Sequence, residues 1–167
     1  MKTLILMRHA KTEQLEYGTS KSDFERELKP RGYKDIKLIA SEIIRFESIP
    51  DLIISSTASR AKQTAQNLAE HLSYDQSLIR YEQFIYDGYT TTDFLSFMEQ
   101  LDSKYDTIAV VGHNPEIAMM AVNLCNDNIF HFPTSATISI SFDQQSWKEI
   151  KAREGKTNWF TYPSMLR

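Results

Sequence analysis

Residues 3–12, with the sequence TLILMRHAKT, place an arginine and a histidine directly after a short apolar run. An uninterrupted apolar run of this length is typical of a strand that is buried on both faces of a parallel sheet. Such a strand needs helices on both sides of its sheet, so the stretch favours an α/β fold. Arg8 and His9 then lie at the carboxyl end of the strand, where open α/β sheets bind their ligands.

Apolar runs and amphipathic segments alternate along the rest of the chain. The predicted elements are a helix over 29–46, a strand over 51–56, a helix over 57–72, a helix near 94–101, a strand within 106–115 and a helix over 116–125. Strands that alternate with helices predict a parallel sheet covered on both faces. We therefore expect residues 1–167 to form a single domain, a three-layer α/β/α sandwich with a mainly parallel central sheet.

The C-terminal part of the chain carries a different pattern. Residues 136–142 alternate Ile and Phe with Ser, which predicts a half-buried strand, and we expect one antiparallel strand in this region. A turn at 143–146 would pair residues 147–150 with that strand as a hairpin. Residues 155–167 match no regular pattern, although their aromatic side chains indicate that they pack on the domain. Residues 77–90 have only weak strand character.

Composition excludes several classes of protein. The chain has 167 residues, of which 41% are hydrophobic and 25% are charged, as in ordinary globular domains. Its net charge is −3 and its basic residues are scattered, so we expect neither nucleic-acid nor membrane partners. The single cysteine, Cys125, cannot form an internal disulfide, and the N-terminal apolar run is too short for a signal peptide or a membrane span. We therefore expect a cytoplasmic protein.

Each predicted strand of the parallel sheet leads into a cation or an imidazole. The first strand ends at Arg8 and His9, the second leads to Arg60 in the first turn of a helix, and the third leads to His113. If these strands are neighbours, the four side chains share one pocket at the carboxyl edge of the sheet. The planar guanidinium group matches the geometry of phosphate oxygens, so the predicted ligand is a phosphoryl group.

This set of side chains suits phosphoryl transfer. Such transfer is catalysed by positioning and by electrostatic stabilisation, which Arg8 and Arg60 would supply. A neutral His9 imidazole could attack phosphorus and form a covalent phosphohistidine, provided that a backbone carbonyl fixes its other ring nitrogen. His113 would stabilise the phosphoryl oxygens. Thr12 is a further candidate phosphate ligand, with a role in shaping the loop as the alternative.

With these residues in place, the chain resembles the histidine phosphatase superfamily, the phosphoglycerate mutase-like phosphatases. Arg8 and His9 match its signature pair, Arg60 in SSTASRAKQTA matches its second arginine, and His113 in VVGHNP matches its second histidine. The resemblance implies that His9 accepts the phosphoryl group. It also implies that Arg8, Arg60 and His113 bind that group without a metal or another cofactor.

Two further features are similar to the small SixA-type phosphohistidine phosphatases. Ala10 follows the Arg-His pair, and the segment SDFERELKPRG at 22–32 resembles the one that leads into the first helix of that branch. Larger relatives add a carboxylic acid that protonates the leaving group. Glu82 is the nearest candidate here and Asp87 is a poorer one, and neither lies in a convincing match. A weak or absent acid favours phosphoramidate substrates, because an alkoxide leaving group needs a general acid.

Three functions follow from these observations. The leading one is a metal-independent phosphatase that acts on phosphohistidine in a protein. The second is a phosphomonoesterase that uses the same residues on a small phosphorylated metabolite. The third is a phosphate-binding module without catalysis. The oligomeric state is not predicted.

Other phosphate and metal chemistries lack their residues. A cysteine phosphatase needs an arginine shortly after its nucleophile, and none follows Cys125 closely. A P-loop needs a glycine-rich turn with a lysine, which is absent from the sequence. The four histidines are not paired at zinc-ligand spacing, and Arg8 beside His9 would repel a cation. We therefore expect no metal site.

Overall fold

A six-stranded sheet with helices on both faces forms the centre of the molecule. The computed structural model describes residues 1–129 and 131–167. The strands are β1 (Lys2–Arg8), β2 (Leu52–Ser56), β3 (Arg80–Glu82), β4 (Thr107–Gly112), β5 (Thr137–Phe142) and β6 (Lys156–Thr161). The helices are α1 (Pro30–Arg45), α2 (Ser59–His71), α3 (Gln83–Asp87), α4 (Thr91–Met98), α5 (Glu116–Leu124) and α6 (Pro163–Leu166), and short 3-10 turns cover Asp23–Glu25, Gln76–Leu78 and Trp147–Glu149.

The strand order places the ends of three strands side by side. The order across the sheet is β3-β2-β4-β1-β5-β6, and β1 to β4 are parallel to one another. Arg8 of β1 pairs with Gly112 of β4, and Val111 of β4 pairs with Ser55 of β2, so these three strands end at one level. β5 is antiparallel to β1 and to β6, so it alone runs in the opposite direction. The predicted sandwich with a mainly parallel sheet is confirmed.

Alternate residues of the central strands bury opposite faces of the sheet. Leu4 and Leu6 of β1 pack in a core with side chains of α4 and α5. Ile5, between them, packs on the other face against Ala61 and Ala65 of α2. The small alanine side chains let α2 lie close to the sheet, and α1 covers the neighbouring part of the same face. The continuous apolar run of β1 therefore exists because both of its faces are covered.

Two predictions for the C-terminal part are wrong. Residues 147–150 do not form a hairpin with β5, because Trp147 is buried and its Nε1 donates a hydrogen bond to the carbonyl of Tyr105. The partner of β5 is instead β6, within the segment that showed no pattern.

The strand β5 is also not half-buried, since all of its residues are buried. The buried hydroxyl groups of Ser139 and Ser141 are both satisfied by Asn158 of β6, whose Nδ2 donates to Ser139 and whose Oδ1 accepts from Ser141. Of residues 77–90, which were predicted to have weak strand character, only the three residues of β3 form a strand. The helix α3 follows β3 directly. No helix within residues 1–129 and 131–167 is long and apolar enough to cross a membrane.

The first turn of α1 lies against the backbone that follows β1. A Cβ atom at Gly32 would lie 2.6 Å from the carbonyl oxygen of Lys11 and 3.4 Å from the Cβ of Ala10. The nearer neighbour is backbone, which cannot rotate away as a side chain would. Gly32 therefore lets α1 support the loop after β1 at close range.

We expect the Gly32→Ala substitution to destabilise the protein despite the higher helix propensity of alanine. Overpacking against backbone should lower the free energy of unfolding by about 1–3 kcal/mol. Urea denaturation monitored by circular dichroism measures this change. The control is Ser41→Ala on the exposed side of α1, where a change within about 0.5 kcal/mol is expected. Equal denaturation midpoints for the two variants would contradict the close contact.

Candidate active site

A cleft of about 310 Å³ lies at the carboxyl ends of β1 and β4. Its lining residues are Arg8, His9, Lys11, Thr12, Gln14, Arg26, Arg60, His113, Asn114 and Thr134. The structure thus brings together the four side chains singled out at the strand ends, and Thr12 with them. The imidazole rings of His9 and His113 are 5.2 Å apart between centroids.

His9 is held in one tautomer by the backbone. Its Nδ1 lies 2.8 Å from the carbonyl oxygen of Ala10. Since a carbonyl only accepts hydrogen bonds, the proton is on Nδ1, and Nε2 carries the lone pair. Burial lowers the pKa of His9 to about 3, and the charges of Arg60 and Arg8 act in the same direction, although the bond to Ala10 opposes them. His9 is therefore a neutral imidazole with a free Nε2 at physiological pH.

Thr64 of α2 links the loop after His9 to the helix that carries Arg60. The backbone N–H of Ala10 donates to Oγ1 of Thr64 at 3.0 Å, and the Thr64 hydroxyl donates to the carbonyl of Arg60 at 2.7 Å. The Thr64 side chain is completely buried. The two halves of the cleft are therefore connected by a short chain of hydrogen bonds.

His113 is bound by its Nε2, which lies 2.7 Å from the hydroxyl of Ser56 at the end of β2. That hydroxyl also accepts a hydrogen bond from the backbone N–H of Ala58, so its proton is available for Nε2. With the Ser56 hydroxyl as the donor to Nε2, the ring proton lies on Nδ1, which is buried and has no partner among the described residues. Burial, followed by the charge of Arg60, lowers the pKa of His113 to about 4. His113 is thus a neutral donor whose N–H is free.

Arg8 and Arg60 each keep an N–H group without an acceptor. Arg8 Nη1 donates to the carbonyl of Phe132 at 3.3 Å, and the two terminal nitrogens of Arg60 donate to Asp23. The Nε atoms of both arginines are buried and have no partner within residues 1–129 and 131–167. Burial, together with the nearby Arg60, lowers the pKa of Arg8 from its usual value. An unpaired buried donor costs about 1–3 kcal/mol, so the cleft is arranged for an acceptor such as an anion.

Arg26 is a cleft residue that pattern analysis missed. Its Nη2 donates to Oγ1 of Thr12 at 2.6 Å, and its Nη1 donates to Oδ1 of Asp23 at 3.0 Å. The residue lies on an irregular loop, and neither strand ends nor helical spacing point to it. The only signal was the resemblance of the segment 22–32 to the SixA-type branch. Because Thr12 accepts from Arg26, its own hydroxyl proton remains available.

Glu82, the candidate general acid, does not line the cleft. Glu82 ends β3 at the edge of the sheet, and its Oε1 accepts from Nε of Arg80 at 2.6 Å. These residues are two apart on a strand and therefore share a face, where they line a different cavity with Phe84 and Phe97. Asp87, the second candidate, is exposed and accepts a hydrogen bond from Gln83. None of the described residues that line the cleft is Asp or Glu.

Comparisons with known proteins agree with this fold. Residues 4–84 match the histidine phosphatase superfamily (branch 1). An uncharacterized protein of Mycobacterium tuberculosis is 29% identical over 120 residues, which cover 72% of this chain and 70% of the relative. A proposed phosphohistidine phosphatase SixA from Agrobacterium tumefaciens is 25% identical, with a TM-score of 0.79 and coverage of 97% of this chain and 98% of the other.

A more distant structure shares the fold with a different substrate. The mycobacterial glucosyl-3-phosphoglycerate phosphatase is 16% identical, with a TM-score of 0.60 and coverage of 94% of this chain and 98% of the other. Fold, cleft and comparisons together define a phosphatase. Over residues 4–84 the chain is similar to the histidine phosphatase superfamily, and the whole fold is similar to the SixA-type phosphatases.

The neutral state of the two cleft histidines predicts acid sensitivity of the fold. The folded-state pKa values are about 3 for His9 and about 4 for His113, below the value of about 6.5 expected in the unfolded chain. Between these limits the unfolded chain binds protons that the folded protein does not, so stability falls as the pH decreases below about 6.5. From about pH 7 to about pH 5, each histidine should lower the free energy of unfolding by roughly 2 kcal/mol.

Urea denaturation at the two pH values tests this prediction. In His113→Asn, the part of the pH-dependent change in the free energy of unfolding that comes from the two histidines should be about half of that in the wild type. The control is His71→Asn at the exposed end of α2, which should keep the whole dependence. An unchanged pH dependence in His113→Asn would show that the imidazole is not held neutral by its surroundings.

Proposed function

We propose that this phosphatase acts without a metal, through a covalent phosphohistidine at Nε2 of His9, and that its substrate is phosphohistidine in another protein. One observation carries the proposal. Three residues that line one cleft, Arg8, Arg60 and His113, each have a buried N–H group for which the described part of the chain offers no acceptor, and the same cleft contains the neutral imidazole of His9. This is the arrangement that transfer of a phosphoryl group to an imidazole requires.

In the first step the cleft binds the phosphoryl group. The Nε groups of Arg8 and Arg60 and the Nδ1–H of His113 donate to its oxygens, where negative charge spreads in the transition state. Because these donors are already in place and buried, little reorganisation is needed when the charge develops. Arg26 and Lys11 add positive charge at the cleft, which attracts a phosphorylated substrate.

In the second step Nε2 of His9 attacks phosphorus. A bond forms between Nε2 and phosphorus, and the bond from phosphorus to the leaving group breaks with its electron pair. The imidazole becomes cationic, and the carbonyl of Ala10 stabilises that charge through the hydrogen bond to Nδ1. Water then attacks phosphorus, inorganic phosphate leaves, and His9 returns to its neutral form.

The chemistry of the leaving group supports a phosphoramidate substrate. An alkoxide needs a carboxylic acid or a similar donor, and the described cleft residues include no carboxyl group. The imidazole of a phosphohistidine can leave once solvent has protonated it. The similarity to a proposed phosphohistidine phosphatase from Agrobacterium tumefaciens supports the same substrate class. The fold shared with a glucosyl-3-phosphoglycerate phosphatase keeps a small phosphorylated metabolite as the second candidate.

Trapping the covalent intermediate tests the role of His9. Brief reaction with phosphoramidate, an alkaline quench and mass spectrometry should locate one phosphoryl group on His9. His9→Asn should lose the label and lower kcat/KM by a factor of roughly 10³ or more, because the nucleophile is missing. His71→Asn, a histidine outside the cleft, should be labelled and active like the wild type. Equal labelling of His9→Asn would contradict the proposed nucleophile.

A comparison of leaving groups tests the substrate class. We expect kcat/KM for a phosphohistidine peptide to exceed that for an alkyl phosphate such as 3-phosphoglycerate by roughly 10² or more, because no general acid assists the ester. Steady-state release of phosphate from both compounds measures the ratio. Glu82→Gln should leave both rates unchanged. A higher kcat/KM for the alkyl phosphate than for the peptide would favour the metabolite phosphatase. Loss of activity towards the alkyl phosphate in Glu82→Gln would favour it too.

A further inference from the structure

Asp23 binds the guanidinium group of Arg60 without lining the cleft itself. The backbone carbonyl of Asp23 accepts from Nη1 of Arg60 at 2.8 Å, and its carboxylate Oδ2 accepts from Nη2 at 3.2 Å. Both terminal nitrogens of Arg60 are therefore held by one residue. The Arg60 side chain is 8% exposed, whereas that of Asp23 is 52% exposed, so Asp23 binds from the solvent side.

The same carboxylate joins two other side chains around the cleft. Its Oδ1 accepts from Nη1 of Arg26 at 3.0 Å, and its Oδ2 accepts from the hydroxyl of Tyr86 at 3.1 Å. The ring of Tyr86 lies 5.9 Å from Cζ of Arg60 and 5.8 Å from the ring of His113. Asp23 thus connects the loop that carries Arg26 with α2 and α3.

This network fixes the orientation of the Arg60 guanidinium group. A guanidinium group is rigid and planar, so two fixed nitrogens also fix the direction of the third. The third nitrogen, Nε, is buried and has no partner among the described residues. Asp23 therefore holds both terminal nitrogens of a residue that lines the cleft and leaves Nε without an acceptor.

Asp23 also carries a negative charge at this place. Its partial burial acts to raise the pKa, but the hydrogen bonds and charges of Arg26 and Arg60, with the Tyr86 hydroxyl, outweigh that effect and lower it. A carboxylate in contact with two guanidinium groups reduces the positive potential that a phosphate meets. Tight binding of phosphate would hold back product release and would not by itself raise kcat.

We propose that Asp23 is a positioning residue, which aims Nε of Arg60 at the phosphoryl group and weakens the binding of the product phosphate. The proposal rests on the proposed function only in placing the phosphoryl group beside Arg60. It predicts two opposite effects of one substitution. Loss of the charge strengthens phosphate binding, and loss of the alignment slows turnover.

Asp23→Asn separates these effects, because asparagine keeps one oxygen acceptor and the backbone carbonyl but lacks the charge. We expect the inhibition constant of inorganic phosphate to fall about fivefold and kcat to fall about tenfold. Asp23→Ala should lower kcat further, since no side-chain acceptor remains. A purely structural ion pair at the surface would leave both constants unchanged.

The matched control is Glu25→Gln, in the same 3-10 turn. The carboxylate of Glu25 accepts from the backbone N–H and the hydroxyl of Ser22, away from the cleft residues. Thermal unfolding of all variants separates loss of fold from loss of alignment. If Asp23→Asn does not fold, the Tyr86→Phe variant tests the proposal instead, because it removes only one donor to Asp23. We expect kcat of Tyr86→Phe to fall about threefold.

Unchanged phosphate inhibition and kcat in Asp23→Asn, relative to Glu25→Gln, would overturn the proposal, as would an unchanged kcat in Tyr86→Phe. Binding of phosphate is also measured by calorimetry in proteins that carry His9→Asn. Tighter binding on addition of Asp23→Asn supports the proposal even if no phosphohistidine is ever trapped. Failure of the proposed function is thereby distinguished from failure of this inference.

Discussion

The hydrogen bond from Nδ1 of His9 to the carbonyl of Ala10 is the interaction on which the site depends. It places the lone pair on Nε2, and without it either ring nitrogen could carry the proton. The bond is only as well defined as the backbone that supplies the carbonyl. That backbone is held from one side by the first turn of α1 at Gly32 and from the other by Thr64 of α2. Packing around the backbone that follows His9 therefore sets the chemical state of one nitrogen atom.

The cleft concentrates positive charge, and the Asp23 carboxylate offsets part of it from the solvent side. Arg8, Arg26 and Arg60 line it, together with two imidazoles that burial keeps neutral. Neutral histidines add hydrogen-bonding capacity without adding repulsion to the arginines. The free energy of folding is less favourable because several buried N–H groups have no acceptor among the described residues. Such an arrangement sacrifices stability for binding, as active sites commonly do.

The strand ends made most of the fold and half of the site predictable. Buried apolar runs identified β1, β2 and β4, and their parallel order brought Arg8, His9, Arg60 and His113 together. Loop residues gave no such signal, because an irregular segment has no period that fixes the direction of a side chain.

The same limit applies to other side chains. Arg26 and Asp23 lie on a loop and in a short 3-10 turn that give no periodic signal, and Glu82, proposed as a general acid from its position along the chain, binds Arg80 and does not line the cleft. The C-terminal hairpin failed because a single buried tryptophan, Trp147, outweighs a local turn pattern.

The Thr64 bridge has a consequence for the way the molecule opens. Because one buried hydroxyl accepts from the amide of Ala10 and donates to the carbonyl of Arg60, the first turns of α2 cannot fray without releasing the nucleophile loop. We expect the two to belong to one cooperative unit of local unfolding, whose amide protons exchange with solvent in the same event. Opening of the first turns of α2 would then displace the His9 loop and Arg60 together.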